Sequence, residues 1–209
     1  MERISAGSYD LNKWLCGGYD KDIITTLYGG PGTGKTNFSL LAAVSQAKRG
    51  RKVIFVDTEG GFSSERVKQI VLAGNNGAEY KEVLKNILIL KPTNFFEQKK
   101  TFSQLSKYLK EQISLIVVDG ITMLYRLEFA DARKKEITDI QDVNLELTKQ
   151  MRQLAEISRK KNIPIIVTNQ VYNWDKETRM VGGDILKYWS KCLIEVTNER
   201  GRRTAFLRK

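Results

Sequence analysis

Short, nearly continuous apolar runs alternate along this chain with longer segments whose apolar residues recur every three or four positions. Residues 23–28, 53–57, 87–90, 114–119 and 165–169 are the short runs, rich in Ile and Val. Runs of this length without polar alternation fit strands covered on both faces, as in a parallel sheet. Between them the spacing predicts helices. Residues 37–49 place Phe38, Leu40, Leu41 and Val44 on one side. Ser63 or Ser64 caps a helix running to about Leu72, and 79–85 is a shorter one. Thr93 or Asn94 opens a helix from about 95 to 112, and 121–129 reads as a short helix or turn. Residues 142–161 repeat Val143, Leu147, Met151, Leu154 and Ile157 at helical period. Near the start, Ser8 to Leu15 forms a short helix stopped by Gly17–Gly18. Residues 130–137 read as a mobile charged loop, and 171–184 as a long polar loop with Gly182–Gly183 near its end. Residues 192–196 and 204–207, joined across Asn198, Glu199, Arg200 and Gly201, read as an antiparallel hairpin. The pattern is that of an α/β domain spanning 1–209, with a mostly parallel sheet and the hairpin at one edge.

The join between residues 23–28 and 37–49 changes this picture from fold to chemistry. Gly29, Gly30, Pro31, Gly32, Thr33, Gly34, Lys35 and Thr36 fit G-x-x-x-x-G-K-[ST] at every fixed position. Glycines let such a loop curl so that its N–H groups converge on phosphate oxygens, and the following helix adds the positive end of its dipole. Lys35 is placed to reach β- and γ-phosphates, and the Thr36 hydroxyl to help hold magnesium. A strand before and a helix after are the context this motif requires. The stretch predicts a site for a nucleoside triphosphate with magnesium.

Composition narrows the partners. Among 209 residues, 35 Lys and Arg outnumber 24 Asp and Glu, a formal net charge of +11. That excess favours polyanions, nucleic acid before a membrane surface, although a generally basic solvated surface produces the same count. No apolar run approaches the roughly 20 residues that span a bilayer. The first residues carry no signal-peptide core, so the expected location is cytoplasmic, with the nucleoid as its DNA-bound form. Cys16 and Cys192 stand far apart and are expected to be reduced packing residues. Histidine is absent, which excludes histidine catalysis and histidine metal sites.

Two carboxylates are candidates for work beside the phosphate loop. Asp119 closes an apolar strand, where phosphate-loop ATPases keep the acid of the magnesium shell; a strand-closing Asp is also an ordinary turn former. Glu59 follows the strand at 53–57, whose C-terminal end faces the nucleotide cleft in this topology. There it can orient water, or simply be a surface glutamate.

Several segments, in order and covering nearly the whole chain, resemble RecA/RadA-type recombinases. They are Ile4–Ser5 with Gly7, Ser8 and Leu11; residues 56–62 with Glu65, Arg66 and Val67; Val118–Gly120 with Leu124, Tyr125 and Arg126; and residues 167–171. The chain is most similar to the core-only branch of that family, the archaeal RadB paralogues. The resemblance implies a RecA-like P-loop core, with Glu59 activating water and Lys35 and Thr36 serving phosphate and magnesium. It implies that Arg66 lies against adenine and that Gln170 links the γ-phosphate to DNA-binding loops. It puts those loops at about 127–142 and 171–184. In the first, Arg126, Arg133, Lys134 and Lys135 are balanced by acids. The second offers Tyr172, Trp174, Lys176 and Arg179, an aromatic and basic mixture suited to single strands. A basic terminus including Arg202 and Arg203 adds phosphate contacts. For each loop a plain solvated surface is the competing reading.

The chain departs from the family's strand-exchanging members in two ways. Few residues precede Gly7, so the helical DNA-binding domain and the linker that docks on the next subunit are not found. Filaments need that heterologous contact, so weak self-association is expected in place of long filaments. Tyr188 stands where the family commonly places a histidine that senses the γ-phosphate. The resemblance therefore implies an ATP- and DNA-binding accessory protein of recombination and repair, with weak ATP turnover. Its partners would be single-stranded or branched DNA and a main recombinase or Holliday junction resolvase. A fully competent recombinase and a KaiC-like regulatory ATPase are the rival readings.

Overall fold

The computed structural model describes residues 2–73, 79–109, 112–133, 137–175 and 177–209. At the start, β1 (Arg3–Ile4) is followed by α1 (Tyr9–Trp14) and β2 (Tyr19–Asp20). The central run is β3 (Ile24–Tyr28), α2 (Lys35–Ala47), β4 (Lys52–Asp57), α3 (Ser64–Leu72), α4 (Glu79–Lys85), β5 (Ile87–Leu90), α5 (Phe95–Tyr108), β6 (Ile113–Asp119), α6 (Met123–Ala132), α7 (Ile137–Lys161) and β7 (Ile165–Asn169). Then come β8 (Val171–Trp174), β9 (Glu177–Met180), α8 (Gly183–Trp189), β10 (Cys192–Glu199) and β11 (Arg202–Leu207). The main sheet has seven strands in the order β11-β10-β3-β7-β6-β4-β5. Only the β10–β11 pair is antiparallel within it.

The continuous apolar runs are explained by what each strand separates. In β4 and β6, Ile54, Val56, Ile116 and Val118 face a core with α5, α6 and α7. Their sequence neighbours Val53, Phe55, Leu115 and Val117 face a second core with α2, α3 and α4. Successive side chains of a strand point to opposite faces, so both registers must be apolar when both faces are covered. Helix starts are fixed by the residues the sequence offers. Ser63 accepts from the Arg66 amide at 3.2 Å, and Asn94 from the Glu97 amide at 2.8 Å. Glu97 reaches back to the Thr93 amide at 2.8 Å, closing a capping box one residue long of the usual spacing. The hairpin turns through Arg200 and Gly201, both with positive φ, the backbone of a type I′ turn.

The structure corrects several expectations. α5 stops at Tyr108, before the expected 112. Of the expected loop at 130–137, the described residues include 130–132, through which α6 continues to Ala132, and Ile137, where α7 already begins; 134–136 lie outside the described residues. The polar loop at 171–184 contains the β8–β9 hairpin, because Val171, Tyr172 and Thr178 are β-branched or aromatic and favour extended backbone. The β1–β2 pair has too few residues to leave a periodic signal. On α2, Leu40, Ala43, Val44 and Ala47 are buried, whereas Phe38 and Leu41 are half-buried. Cys16 is exposed rather than packed, because its positive φ places it in the turn after α1. No helix among the described residues is long and apolar enough to cross a membrane.

Candidate phosphate-loop site

β3, β7, β6 and β4 are consecutive neighbours in the sheet, and their C-terminal ends gather four sequence-distant segments. The glycine-rich turn leaves β3 and enters α2 at Lys35, with Gly34 as N-cap in a left-handed conformation. Gly29 is required by proximity: a Cβ there would lie 2.0 Å from the Val196 carbonyl oxygen. Lys35 is buried and donates to the Gly29 and Gly30 carbonyls, each at 2.8 Å, and to Gln170 Oε1 at 3.4 Å. Burial pulls its ammonium down from the ordinary lysine range, with Glu59 and Asp119 opposing. Thr33 Oγ1 ties the turn to the Gly30 carbonyl at 2.9 Å.

Opposite the loop stand the carboxylates. Asp57 and Asp119 close β4 and β6 as register partners. Thr36 Oγ1 donates to Asp119 Oδ2 at 2.9 Å, and Thr168 Oγ1 to Asp119 Oδ1 at 2.7 Å. This hydroxyl–carboxylate pair at the helix start is a hard-oxygen set that suits a hydrated magnesium ion. Asp57 accepts the Gly61 and Phe62 amides at 2.9 and 3.1 Å, fixing the loop that carries Glu59. Gln170 Nε2 donates to Glu59 at 3.2 and 3.4 Å. A Cβ on Gly120 would lie 2.4 Å from Glu59 Cγ, so a glycine after β6 is what leaves Glu59 its place. Lys35, Gln170 and Glu59 thus form one hydrogen-bonded chain. It runs from the phosphate loop to a carboxylate able to orient water.

The adjoining cavity, about 450 Å³, is lined by Pro31, Gly32, Lys35, Thr36, Glu59, Arg66, Gln170 and Arg203 among others. A family model described as Rad51 matches residues 1–206. The chain belongs to the Rad51 family. Relatives named DNA repair and recombination protein RadB include one from Methanocaldococcus jannaschii, 41% identical and covering 95% of this chain and 89% of its own. Those from Methanobrevibacter smithii and Methanothermobacter thermautotrophicus are 36% and 34% identical, each covering 95% of this chain and 84% of its own.

In this Rad51-family core the other expected site residues are spread more widely. Arg66 borders the cavity, held by hydrogen bonds to Asn37 and Gln69, both 2.9 Å. Arg126 is on α6 and Arg133 at its C-cap, so both sit on helical rather than loop backbone. Tyr172 and Arg179 face each other across β8–β9, and Arg179 is paired with Glu177 at 2.9 Å. Lys134, Lys135, Lys176 and the side chain of Trp174 lie outside the described residues. Arg202 is exposed on β11; Arg203, its neighbour, lines the phosphate-loop cavity. Asp57, which fixes the Glu59 loop, and Thr168, which donates to Asp119, are site residues that sequence reasoning did not reach. A threonine following Ile165, Ile166 and Val167 was the available signal for the second, since a buried hydroxyl needs a partner.

Burial pushes the Asp119 carboxyl up to about 6; the Thr168 and Thr36 hydroxyls pull the other way, and Glu59 and Asp57 raise it further. A carboxyl raised in the folded state favours folding while protonated, and that contribution is lost as pH rises through about 6. At neutral pH the ionised group costs the metal-free fold roughly 3 kcal/mol, from about two units at ~1.4 kcal/mol each. Asp119→Asn in EDTA is therefore expected to melt higher than wild type at pH 7.5, with the gap about half as large at pH 5. An equal gap at both values would contradict this assignment.

Proposed function

We propose that this chain is an ATP- and DNA-binding accessory protein of homologous recombination and DNA repair, with slow ATP turnover and little or no strand exchange of its own. The observation that carries the reading is the Lys35–Gln170–Glu59 chain beside the Thr36–Asp119 pair. It is supported by membership of the Rad51 family and by relatives named for DNA repair and recombination. Loop amides and Lys35 would take the triphosphate, Thr36 and Asp119 its magnesium, and Arg66 the base. Glu59 would orient water and accept its proton.

Gln170 is the residue through which nucleotide state would reach DNA. It precedes β8 directly, its carbonyl accepts the Val181 amide at 3.1 Å, and neighbouring Asn169 donates to the Val181 carbonyl at 2.9 Å. The base of the β8–β9 hairpin is therefore clamped to the residue that touches Lys35 and Glu59. Tyr172 with Arg179 offers the stacking surface and charge that single strands use, and Arg202, Arg126 and Arg133 add sequence-independent phosphate contacts. Slow turnover is argued from Tyr188. It is exposed and edge-on to Trp189 at 5.3 Å, and a phenol carries no cation near neutral pH. The activity would be exerted on a partner, a main recombinase or a nuclease of branched DNA.

ATP hydrolysis with and without single-stranded DNA, alongside a joint-molecule assay, tests this. The expected result is slow hydrolysis, barely raised by DNA, with salt-sensitive DNA binding that nucleotide alters. Brisk DNA-stimulated hydrolysis with joint-molecule formation would make it a competent recombinase instead.

A further inference from the structure

β11 alternates between two environments. Ala205 packs with the core that surrounds α2, and Arg203, two residues earlier on the same face, extends that side toward the start of α2. Its Cδ lies 3.6 Å from where a Cβ on Gly34 would be, at the N-cap of the phosphate-loop helix. Arg202 and Thr204, at the alternate positions, point to the opposite face. The hairpin is seated there by its own pairing. β10 runs parallel to β3 from Cys192 to Glu195, and just beyond it Val196 abuts Gly29.

The charges around this contact are mostly positive. Lys35, Arg66 and Arg203 line one cavity beside the positive end of α2, and Glu59 is the carboxylate among the lining residues. Lys35 and Arg66 have hydrogen-bond partners. The Arg203 side chain, placed against a helix N-terminus where a cation is disfavoured, has no hydrogen bond or ion pair among the described residues. Arg208, on the same strand's continuation, is by contrast paired with Glu195 at 2.7 Å. A guanidinium side chain beside a phosphate loop, without a side-chain partner among the described residues, is placed to pair with an anion entering the cavity.

We propose that Arg203 is a nucleotide-binding residue supplied from within the same chain. In this role it contacts the polyphosphate of ATP and fastens the C-terminal hairpin to the phosphate loop, instead of serving the DNA surface with Arg202. This rests on the nucleotide-binding reading of the cavity. Arg203 then makes the hairpin responsive to nucleotide: with ATP bound, β11 is held at both its core face and its tip.

The test compares Mg·ATP affinity of wild type, Arg203→Ala, Arg203→Lys, Thr204→Ala and Lys35→Ala, with nucleotide-free binding of single-stranded DNA as the second readout. Thermal melting confirms that each variant folds. Arg203→Ala is expected to weaken Mg·ATP binding about tenfold, the scale of one charge-assisted contact. Arg203→Lys should recover part of the loss, Thr204→Ala should bind as wild type, and nucleotide-free DNA binding should be unchanged by Arg203→Ala. Amide exchange across residues 202–207 should slow on adding Mg·ATP to wild type and not to Arg203→Ala. Wild-type ATP affinity in Arg203→Ala, or a loss confined to DNA binding, overturns the assignment while Lys35→Ala still tests the site itself. If wild type shows no ATP affinity, the reading of the cavity fails first.

Discussion

Lys35→Ala is expected to lower Mg·ATP affinity by a factor of about 100 to 10,000, the loss of two charge-assisted hydrogen bonds at ~1.5–3 kcal/mol each. The ammonium is already inside the loop, where it donates to the Gly29 and Gly30 carbonyls, and a ligand phosphate competes with those acceptors from the open side. Burial lowers its pKa, so an arriving phosphate restores the charged form's partners and is repaid in affinity. Lys35→Arg should not rescue: a planar fork cannot fit among turn carbonyls that a slender ammonium already contacts. Titration with a fluorescent ATP analogue reads the effect, and folding is checked by melting. An affinity within threefold of wild type would remove the phosphate loop from the account.

Much of this site was legible before any coordinates. The phosphate loop follows from residue types at fixed spacing, because the backbone path it needs is available almost only to that glycine pattern. Asp119 and Glu59 were legible as strand-end acids because parallel sheets expose strand C-termini on one edge. Which strands become neighbours was not legible from periodicity. Placing β7 between β3 and β6 is a matter of long-range packing, and it alone brings Thr168 against Asp119 and Gln170 against Lys35. The charged stretch near residue 130 misled for a local reason. Ala130, Asp131 and Ala132 are as compatible with a helix as with a loop, and α6 continues through them. Arg202 and Arg203 look equivalent as neighbours in a basic tail. Strand alternation separates them, and that becomes visible only when the register against β10 is known.

Glu59→Gln is expected to reduce the rate of ATP hydrolysis about 100- to 10,000-fold, the range for removing a positioned general base, while leaving Mg·ATP affinity nearly unchanged. The carboxylate is held by Gln170 Nε2 through both oxygens, and the neighbouring turn is fixed by Asp57, so the isosteric amide keeps its place. What it loses is the ability to take a proton from water. Gln170→Ala should slow hydrolysis less, about tenfold, because it disturbs the orientation of the base without removing it. The double variant should be no slower than Glu59→Gln alone, since orienting an amide that cannot accept the proton has no effect on rate. Single-turnover assays with labelled ATP read these rates even where turnover is as slow as proposed. A Glu59→Gln rate within threefold of wild type would assign water activation elsewhere, and additive losses in the double variant would make Gln170 act independently of Glu59. The Gln170 variant carries a second consequence through the clamp at Val181. Its DNA binding should no longer differ between ATP-bound and nucleotide-free protein, whereas that of Glu59→Gln still should, because the Gln170 side chain contacts Lys35 and Glu59 while its backbone anchors the hairpin.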